Sequence, residues 1–151
     1  MMTEAAEQPL TAILMVDHGS RRAESNQLLH DAARRFQKQS GYSIVQPAHM
    51  ELAEPSIRQA FDQCVSLGAT RVVVFPWFLS PGRHWTEDIP ELVQKAAAHH
   101  PAVEWLVTPP FGMHPGLMTA VNDRIDVSVR KYEAERVSDD AGIVAGQDLP
   151  V

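Results

Sequence analysis

Cysteine is almost missing from this chain: Cys64 stands alone among 151 residues. A single thiol closes no internal disulfide and builds no cysteine-rich zinc or iron–sulfur site. Its neighbours Phe61, Val65 and Leu67 mark it as a small buried apolar residue, the usual setting of a free cysteine. Long apolar runs are missing too. The stretches from Ala12 to Val16 and from Val72 to Phe75 are strand length, far short of the roughly 20 residues a membrane helix needs, so no membrane partner is expected. The first nine residues hold Glu4 and Glu7 and no basic residue. A signal peptide would open on positive charge and continue into an apolar core, so cytoplasm is the expected compartment. Basic residues are outnumbered, 13 against 19, for a formal net charge of −6. That balance lacks the basic footprint that phosphate backbones require, and nucleic acid is not an expected partner. An anionic small molecule remains admissible, because a few arginines can set the local potential. Internal repeats and low-complexity tracts are also absent.

What is present is an alternation of short β-rich runs with amphipathic helical runs. Thr11 to Asp17 (TAILMVD) is a continuous apolar run with a polar end, the pattern of a strand buried on both faces of a parallel sheet. Ser25 to Ser40 follows as a helix with Leu28, Leu29, Ala32, Ala33 and Phe36 on one stripe, stopped by Gly41. Ser43 to Met50 reads as a second strand. Pro55 is placed to open a helix whose apolar face is Ile57, Ala60, Phe61, Cys64 and Val65, with Gly68 at its end. Arg71 to Phe78 (RVVVFPWF) carries the strongest strand signal. Thr86 is the expected N-cap of a third helix reaching about His99, with Glu87 and Asp88 in the first turn, where the helix dipole favours acids. Val103 to Val107 is the expected fourth strand. Pro115 opens a last helix with Leu117, Val121, Ile125 and Val129 four apart.

The order β-α-β-α-β-α-β-α predicts an α/β fold in three layers: one four-stranded parallel sheet with helices on both faces, joined by right-handed crossovers. A single α/β domain is expected over residues 1–136, followed by a flexible acidic tail over 137–151.

In an open parallel sheet, ligands bind beyond the carboxyl ends of the strands. That rule selects four loops. The first reads Asp17-His18-Gly19-Ser20-Arg21-Arg22, the second contains Glu51 and Glu54, the third reads Leu79-Ser80-Pro81-Gly82-Arg83-His84-Trp85, and the fourth contains His114. Seven histidines against two tyrosines is a bias worth following, since imidazole is the commonest metal ligand at neutral pH. His18 and His84 at two strand ends, with a carboxylate nearby, suit a divalent first-row metal with an open coordination position. The same imidazoles could accept protons. A capping or hydrogen-bonding role is the bland reading of each. Arg21, Arg22 and Arg83 stand beside the two histidines; arginine captures carboxylates in bidentate fashion, although solvated loop residues are the plain alternative. Trp77, Phe78 and Trp85 are candidate aromatic walls, and Phe75 is expected in the core. His30, His99 and His100 are expected at the surface. His49 is ambiguous, and His114 is either an N-terminal cap or part of the cleft.

At these residues the sequence resembles a known family. The stretches DHGSR with Asn26 downstream, ELAEPSI, RVVVFPWFLSPGRHWTEDIPELV and PPFGMHPGL are similar to the small sirohydrochlorin chelatases of the CbiX type, within the class II tetrapyrrole chelatases. The likeness runs from about Ile13 to about Arg124, and its most specific part lies between Phe78 and Pro90. The resemblance implies a four-stranded parallel sheet and insertion of Co2+ or Fe2+, or Ni2+ as in archaeal relatives, into sirohydrochlorin. It places the two metal-site histidines on His18 and His84 and an acidic partner on Glu51. It implies a tetrapyrrole and a divalent metal as substrates, and no tightly bound cofactor. Longer members carry two such halves in tandem; with one half in this chain, the resemblance implies a homodimer. The acidic tail and His49, where an apolar residue is expected, depart from the pattern.

The expected mechanism has Arg21, Arg22 and Arg83 holding substrate carboxylates at the rim, with Ser20, Trp85 and His114 as further substrate contacts. His18 and His84 hold the cation, take pyrrole protons, or do both, and Glu51 orients a histidine or shuttles protons. Two other classes stay open at this point: a carrier of metal or tetrapyrrole without turnover, and an α/β enzyme doing acid–base work without metal.

Overall fold

The computed structural model describes residues 7–139, which divide into two compact units between Gly112 and Met113. The first unit contains strands β1 (Thr11–Asp17), β2 (Ile44–His49), β3 (Arg71–Pro76) and β4 (Glu104–Val107). All are parallel, in the order β2-β1-β3-β4. Helix α1 (Ala23–Ser40) joins β1 to β2, and α2 (Ile57–Ser66) joins β2 to β3. A π-helical turn (His84–Asp88) followed by α3 (Ile89–Ala97) joins β3 to β4.

The central strand β1 is buried along its middle because both of its faces are covered. Ala12, Leu14 and Val16 point to one side, where Val72 and Val74 of β3 join Ile57, Ala60, Phe61 and Cys64 of α2 and Ile89, Val93 and Ala96 of α3. Ile13 and Met15 point to the other side, where they meet Val45 and the buried stripe Leu29 and Ala33 of α1. The period-two alternation of one strand thus supplies two separate cores. This is the three-layer α/β arrangement expected. Cys64 is fully buried, and burial pushes its thiol up to about 12, as befits an inert apolar filler.

Several boundaries differ from the sequence reading. Pro55 does not open α2. Ser56 caps it instead, its side chain accepting from the Gln59 N–H at 3.2 Å while Gln59 Oε1 accepts the Ser56 N–H at 2.8 Å. This reciprocal pair satisfies two donors that a helix start would otherwise leave unbonded. Ser56→Ala is expected to lower stability by about 1 kcal/mol, read as an earlier midpoint in urea unfolding; an unchanged midpoint would show that the cap contributes nothing. Thr86 is no N-cap either: it lies inside the π-helical turn, and its hydroxyl donates to the Gly82 carbonyl at 3.1 Å. Phe75, expected in the core, is only partly buried. Its ring meets Trp77 and Phe111 edge-on, with centroids 6.3 and 5.1 Å away. These three rings, with Ile13, Met15 and Val73, line an apolar groove in the first unit.

The second unit holds α4 (Pro115–Ser138). None of this helix's residues is buried. The expected tail lies, from residue 140 on, outside the described residues.

Candidate functional site

Parallel pairing of β1 with β2 ends with Asp17 opposite His49. The backbone ladder then runs two residues further. The Met50 N–H donates to the Asp17 carbonyl at 3.0 Å and the Glu51 N–H to the His18 carbonyl at 3.2 Å. Register alone therefore makes His18 and Glu51 neighbours. The His18 Nδ1 lies 3.6 Å from Glu51 Oε1, with the side chains 44% and 59% exposed. That spacing is an electrostatic pairing, longer than a direct hydrogen bond.

Gly19 permits this approach. Its φ of +88° lies in the left-handed region, and a Cβ built there would stand 1.9 Å from the Glu51 carbonyl oxygen. Only a residue without Cβ turns here at such contact. The rest of the loop is latched to α1. The Ser20 N–H donates to Asn26 Oδ1 at 2.9 Å, and the Asn26 side-chain amide donates back to the Ser20 carbonyl at 2.7 Å. The Ser20 hydroxyl accepts from the Arg22 N–H at 3.0 Å, so the expected substrate contact also shapes this turn. Arg21 and Arg22 are exposed at its outer side.

The β2 loop is closed at its base by the His49 N–H donating to the Pro55 carbonyl at 2.9 Å. Within it Leu52, next to Glu51, has φ of +67°. A leucine in that region is strained, a condition that concentrates at functional sites. The loop after β3 rises from the strand paired directly with β1, so the backbone of His84 follows at the same sheet edge as His18. The His84 side chain lies outside the described part of the structure. Next to it, the Trp85 indole N–H donates to the Thr108 carbonyl at 2.9 Å, tying the π-helical turn to the loop after β4. Arg83 is exposed, its Nε 3.8 Å from Glu87 Oε2. A cavity of about 310 Å³ is lined by Glu51, Asp88, Glu91 and Lys95 with Met50 and Leu92. Within this hollow Lys95 Nζ lies 3.1 Å from Glu91 Oε1.

Of the residues singled out in the sequence, the structure brings His18 and Glu51 together. It sets Arg21, Arg22 and Ser20 on the same loop as His18, and Arg83 and Trp85 beside His84. His114 belongs to the second unit, where its Nδ1 accepts from the Gly116 N–H at 2.9 Å as the cap of α4. Trp77 packs with the core under α1 instead of walling the strand ends. Among the described residues, no three His, Cys, Asp or Glu side chains gather as they would around a metal ion.

Two expectations about histidines are corrected. His100 is not a plain surface residue: its Nε2 lies 2.6 Å from Asp62 Oδ1 and its ring stacks on Phe61. Burial works against the Asp62 carboxylate, but hydrogen bonds from His100 and Arg58 outweigh it and hold its pKa below the usual value. His30 is likewise engaged, its Nε2 lying 3.2 Å from Nε2 of the fully buried His49. Burial first, then His49 and Arg34, holds His30 below its ordinary pKa. His49 Nδ1 lies 2.5 Å from Asp17 Oδ1. The three residues are 13 to 32 positions apart, and the signal that could have linked two of them is the shared end-of-strand position of Asp17 and His49 under parallel register.

The CbiX family model matches residues 12–128, from β1 into α4. The chain belongs to the CbiX family. It is 50% identical over 134 residues to the chloroplastic sirohydrochlorin ferrochelatase of Arabidopsis thaliana, an alignment covering 89% of this chain and 59% of that protein. A CbiX protein from Marinobacter aquaeolei VT8 superposes with a TM-score of 0.69 at 27% identity, over 80% of this chain and 98% of that one. The sirohydrochlorin chelatase SirB from Bacillus subtilis subspecies spizizenii, in complex with cobalt, gives 0.68 at 32%, over 78% of this chain and 51% of that one. The chain spans about half to two thirds of the length of the curated CbiX relatives it matches. The CbiX fold of these neighbours agrees with the parallel sheet read from the sequence.

Proposed function

We propose that this chain is a sirohydrochlorin chelatase, inserting Co2+ foremost, Fe2+ next and Ni2+ as a further candidate into a precorrin-type tetrapyrrole for cobalamin or siroheme synthesis. The observation that carries the reading is the meeting of His18 and Glu51 at the carboxyl edge of a CbiX sheet, with the Arg83–His84 loop rising from the adjacent strand. The names of the Arabidopsis relative and of the cobalt-bound Bacillus neighbour support the choice of iron and cobalt.

Insertion replaces two inner N–H protons of the macrocycle by one divalent cation, so two protons must leave as the metal enters. A histidine–carboxylate pair suits that exchange. Glu51 beside Nδ1 of His18 favours the tautomer protonated there and makes Nε2 the basic nitrogen. Nε2 can hold a cation or take a pyrrole proton, one at a time. His84 supplies a second imidazole in this reading. Arg21, Arg22 and Arg83 bind peripheral carboxylates of the macrocycle, with Ser20 and Trp85 as additional contacts, while Glu51 is the carboxylate that stands beside the imidazole. Metal and macrocycle are both substrates, and the reaction asks for no organic cofactor. Affinity at such ligands follows the general divalent series, so metal choice follows supply and geometry.

Pairing of two copies belongs to the proposal, supported by the apolar groove in the first unit; light scattering after size exclusion reads it directly. Among the described residues no helix is long and apolar enough to cross a membrane. An aqueous compartment is proposed, the cytoplasm or, as the name of the Arabidopsis relative brings in, the chloroplast. The test of function is incubation with sirohydrochlorin and each of Co2+, Fe2+ and Ni2+ in turn, followed by absorbance. Acceleration over the protein-free reaction with at least one metal is expected. No acceleration with any of them overturns the proposal.

A further inference from the structure

We propose that the side-chain series Asp17–His49–His30, centred on the buried His49, is a positioning device that fixes the His18 turn against the Glu51 loop for metal insertion. The inference rests on the chelatase reading of the site, and none of the three residues is assigned contact with substrate.

His49 is fully buried, and it is the one polar side chain so classed among the described residues. An imidazole taken out of water is costly unless its nitrogens are bonded. Both are. Nδ1 lies 2.5 Å from Asp17 Oδ1 and Nε2 lies 3.2 Å from His30 Nε2. A carboxylate only accepts, so His49 donates its Nδ1–H to Asp17. Its Nε2 faces the Nε2 of His30, one of the two nitrogens donating to the other. The His30 and His49 rings stack at 5.4 Å with planes 27° apart. The end of β1, the end of β2 and helix α1 are thereby tied through three side chains.

The same Asp17 oxygen also accepts the Gly19 N–H at 3.0 Å. One atom therefore receives a donor from β2 and a donor from the turn that immediately follows His18. The turn has little room to shift, since a Cβ at Gly19 would lie 1.9 Å from the Glu51 carbonyl oxygen and 3.2 Å from the His49 Cβ. A leucine at position 49 would fill a comparable volume with less desolvation cost. What the imidazole adds is direction: it orients the Asp17 carboxylate toward the Gly19 N–H, and through that turn it sets the backbone that carries His18 beside Glu51.

The test compares His49→Leu, His49→Asn and His49→Gln. Asparagine keeps a donor near the Nδ1 position, facing Asp17; glutamine keeps a polar end near Nε2, facing His30; leucine keeps neither. In metal insertion, His49→Leu and His49→Gln are expected to lower kcat tenfold or more, within the 10- to 100-fold range typical of groups that orient metal ligands. KM for sirohydrochlorin should stay within about twofold, because the exposed arginines are untouched, and His49→Asn should recover most of the loss. Equal kcat in all three variants, or losses that follow only their unfolding midpoints, would overturn the proposal. Should the leucine variant fail to fold, the asparagine–glutamine pair alone decides. Hydrogen exchange at the Gly19 amide gives a readout without turnover: it is expected to speed up in His49→Gln and not in His49→Asn, and equal protection overturns the positioning role. If wild-type protein inserts no metal, the chelatase reading fails on its own, and the exchange result still judges the Asp17–His49 tie.

Discussion

His18→Ala and His84→Ala are each expected to slow metal insertion by a factor on the order of 10² to 10⁴, the range typical when a positioned acid–base group is removed. The argument for His18 is geometric. Its ring stands at the edge where β1, β2 and β3 end together, Nδ1 is 3.6 Å from Glu51 Oε1, and the side chain is 44% exposed, so it can meet a large substrate. The same exposure means that its loss removes little packing, and the unfolding midpoint of His18→Ala should stay near wild type. For His84 the argument is position, at the end of the loop that follows β3 and at the start of the π-helical turn. Such turns recur at functional sites. Glu51→Gln should cost less, about tenfold, because it alters the partner of the imidazole and leaves the imidazole in place. Stopped-flow absorbance with sirohydrochlorin and Co2+ reads all three. Rates near wild type in both alanine variants would remove the histidines from the mechanism.

Gly19→Ala is expected to damage both stability and activity. The residue occupies φ +88°, and its added Cβ would meet the Glu51 carbonyl oxygen at 1.9 Å. The obstacle is backbone, so no side-chain rotation relieves it. An alanine in that region costs about 1–2 kcal/mol from its own conformation. The displaced loop also threatens the Glu51 N–H bond to the His18 carbonyl, 3.2 Å long, and an exposed backbone bond of this kind contributes roughly 1 kcal/mol. Together these give a loss on the order of 2–3 kcal/mol in urea unfolding. Insertion should fall along with it, since the two loops that carry His18 and Glu51 are pushed apart. A variant with an unchanged midpoint and unchanged rate would show that the loops yield without consequence and that their close approach is incidental.

Much of the fold is legible in the chain because its signals are local. The apolar run from Thr11 to Asp17 betrays a strand covered on both faces, and the stripe containing Leu29 and Ala33 shows which side of α1 turns inward. The strand-end rule then placed His18, Glu51 and His84 at one edge without any coordinates. What escaped the sequence depends on register and on neighbours far away along the chain. The stretch from His84 to Asp88 has the composition of a helix start, and periodicity does not reveal that its turn is π-helical. Pro55 fits the first position of a helix by residue type; Ser56 takes the start because Gln59 can answer it. The partnership of Asp17, His49 and His30 needs parallel alignment of β1 with β2 and α1 laid across them, none of which is written in any single segment. The four-residue spacing of Leu117, Val121, Ile125 and Val129 marks a last helix, which α4 is, but none of its residues is buried. Amphipathic spacing states that a face could be buried, and tertiary context decides whether it is.

The histidine edge could in principle hold a cation or a macrocycle and release it unchanged, so the central claim is turnover. It is tested most directly by following sirohydrochlorin absorbance with Co2+ held limiting and the protein present at a small fraction of the macrocycle. The account predicts that product formation continues well past one equivalent of protein, at a rate proportional to protein concentration and far above the protein-free reaction. A change that stops at one equivalent, or a rate no greater than that of the metal and macrocycle alone, would contradict it.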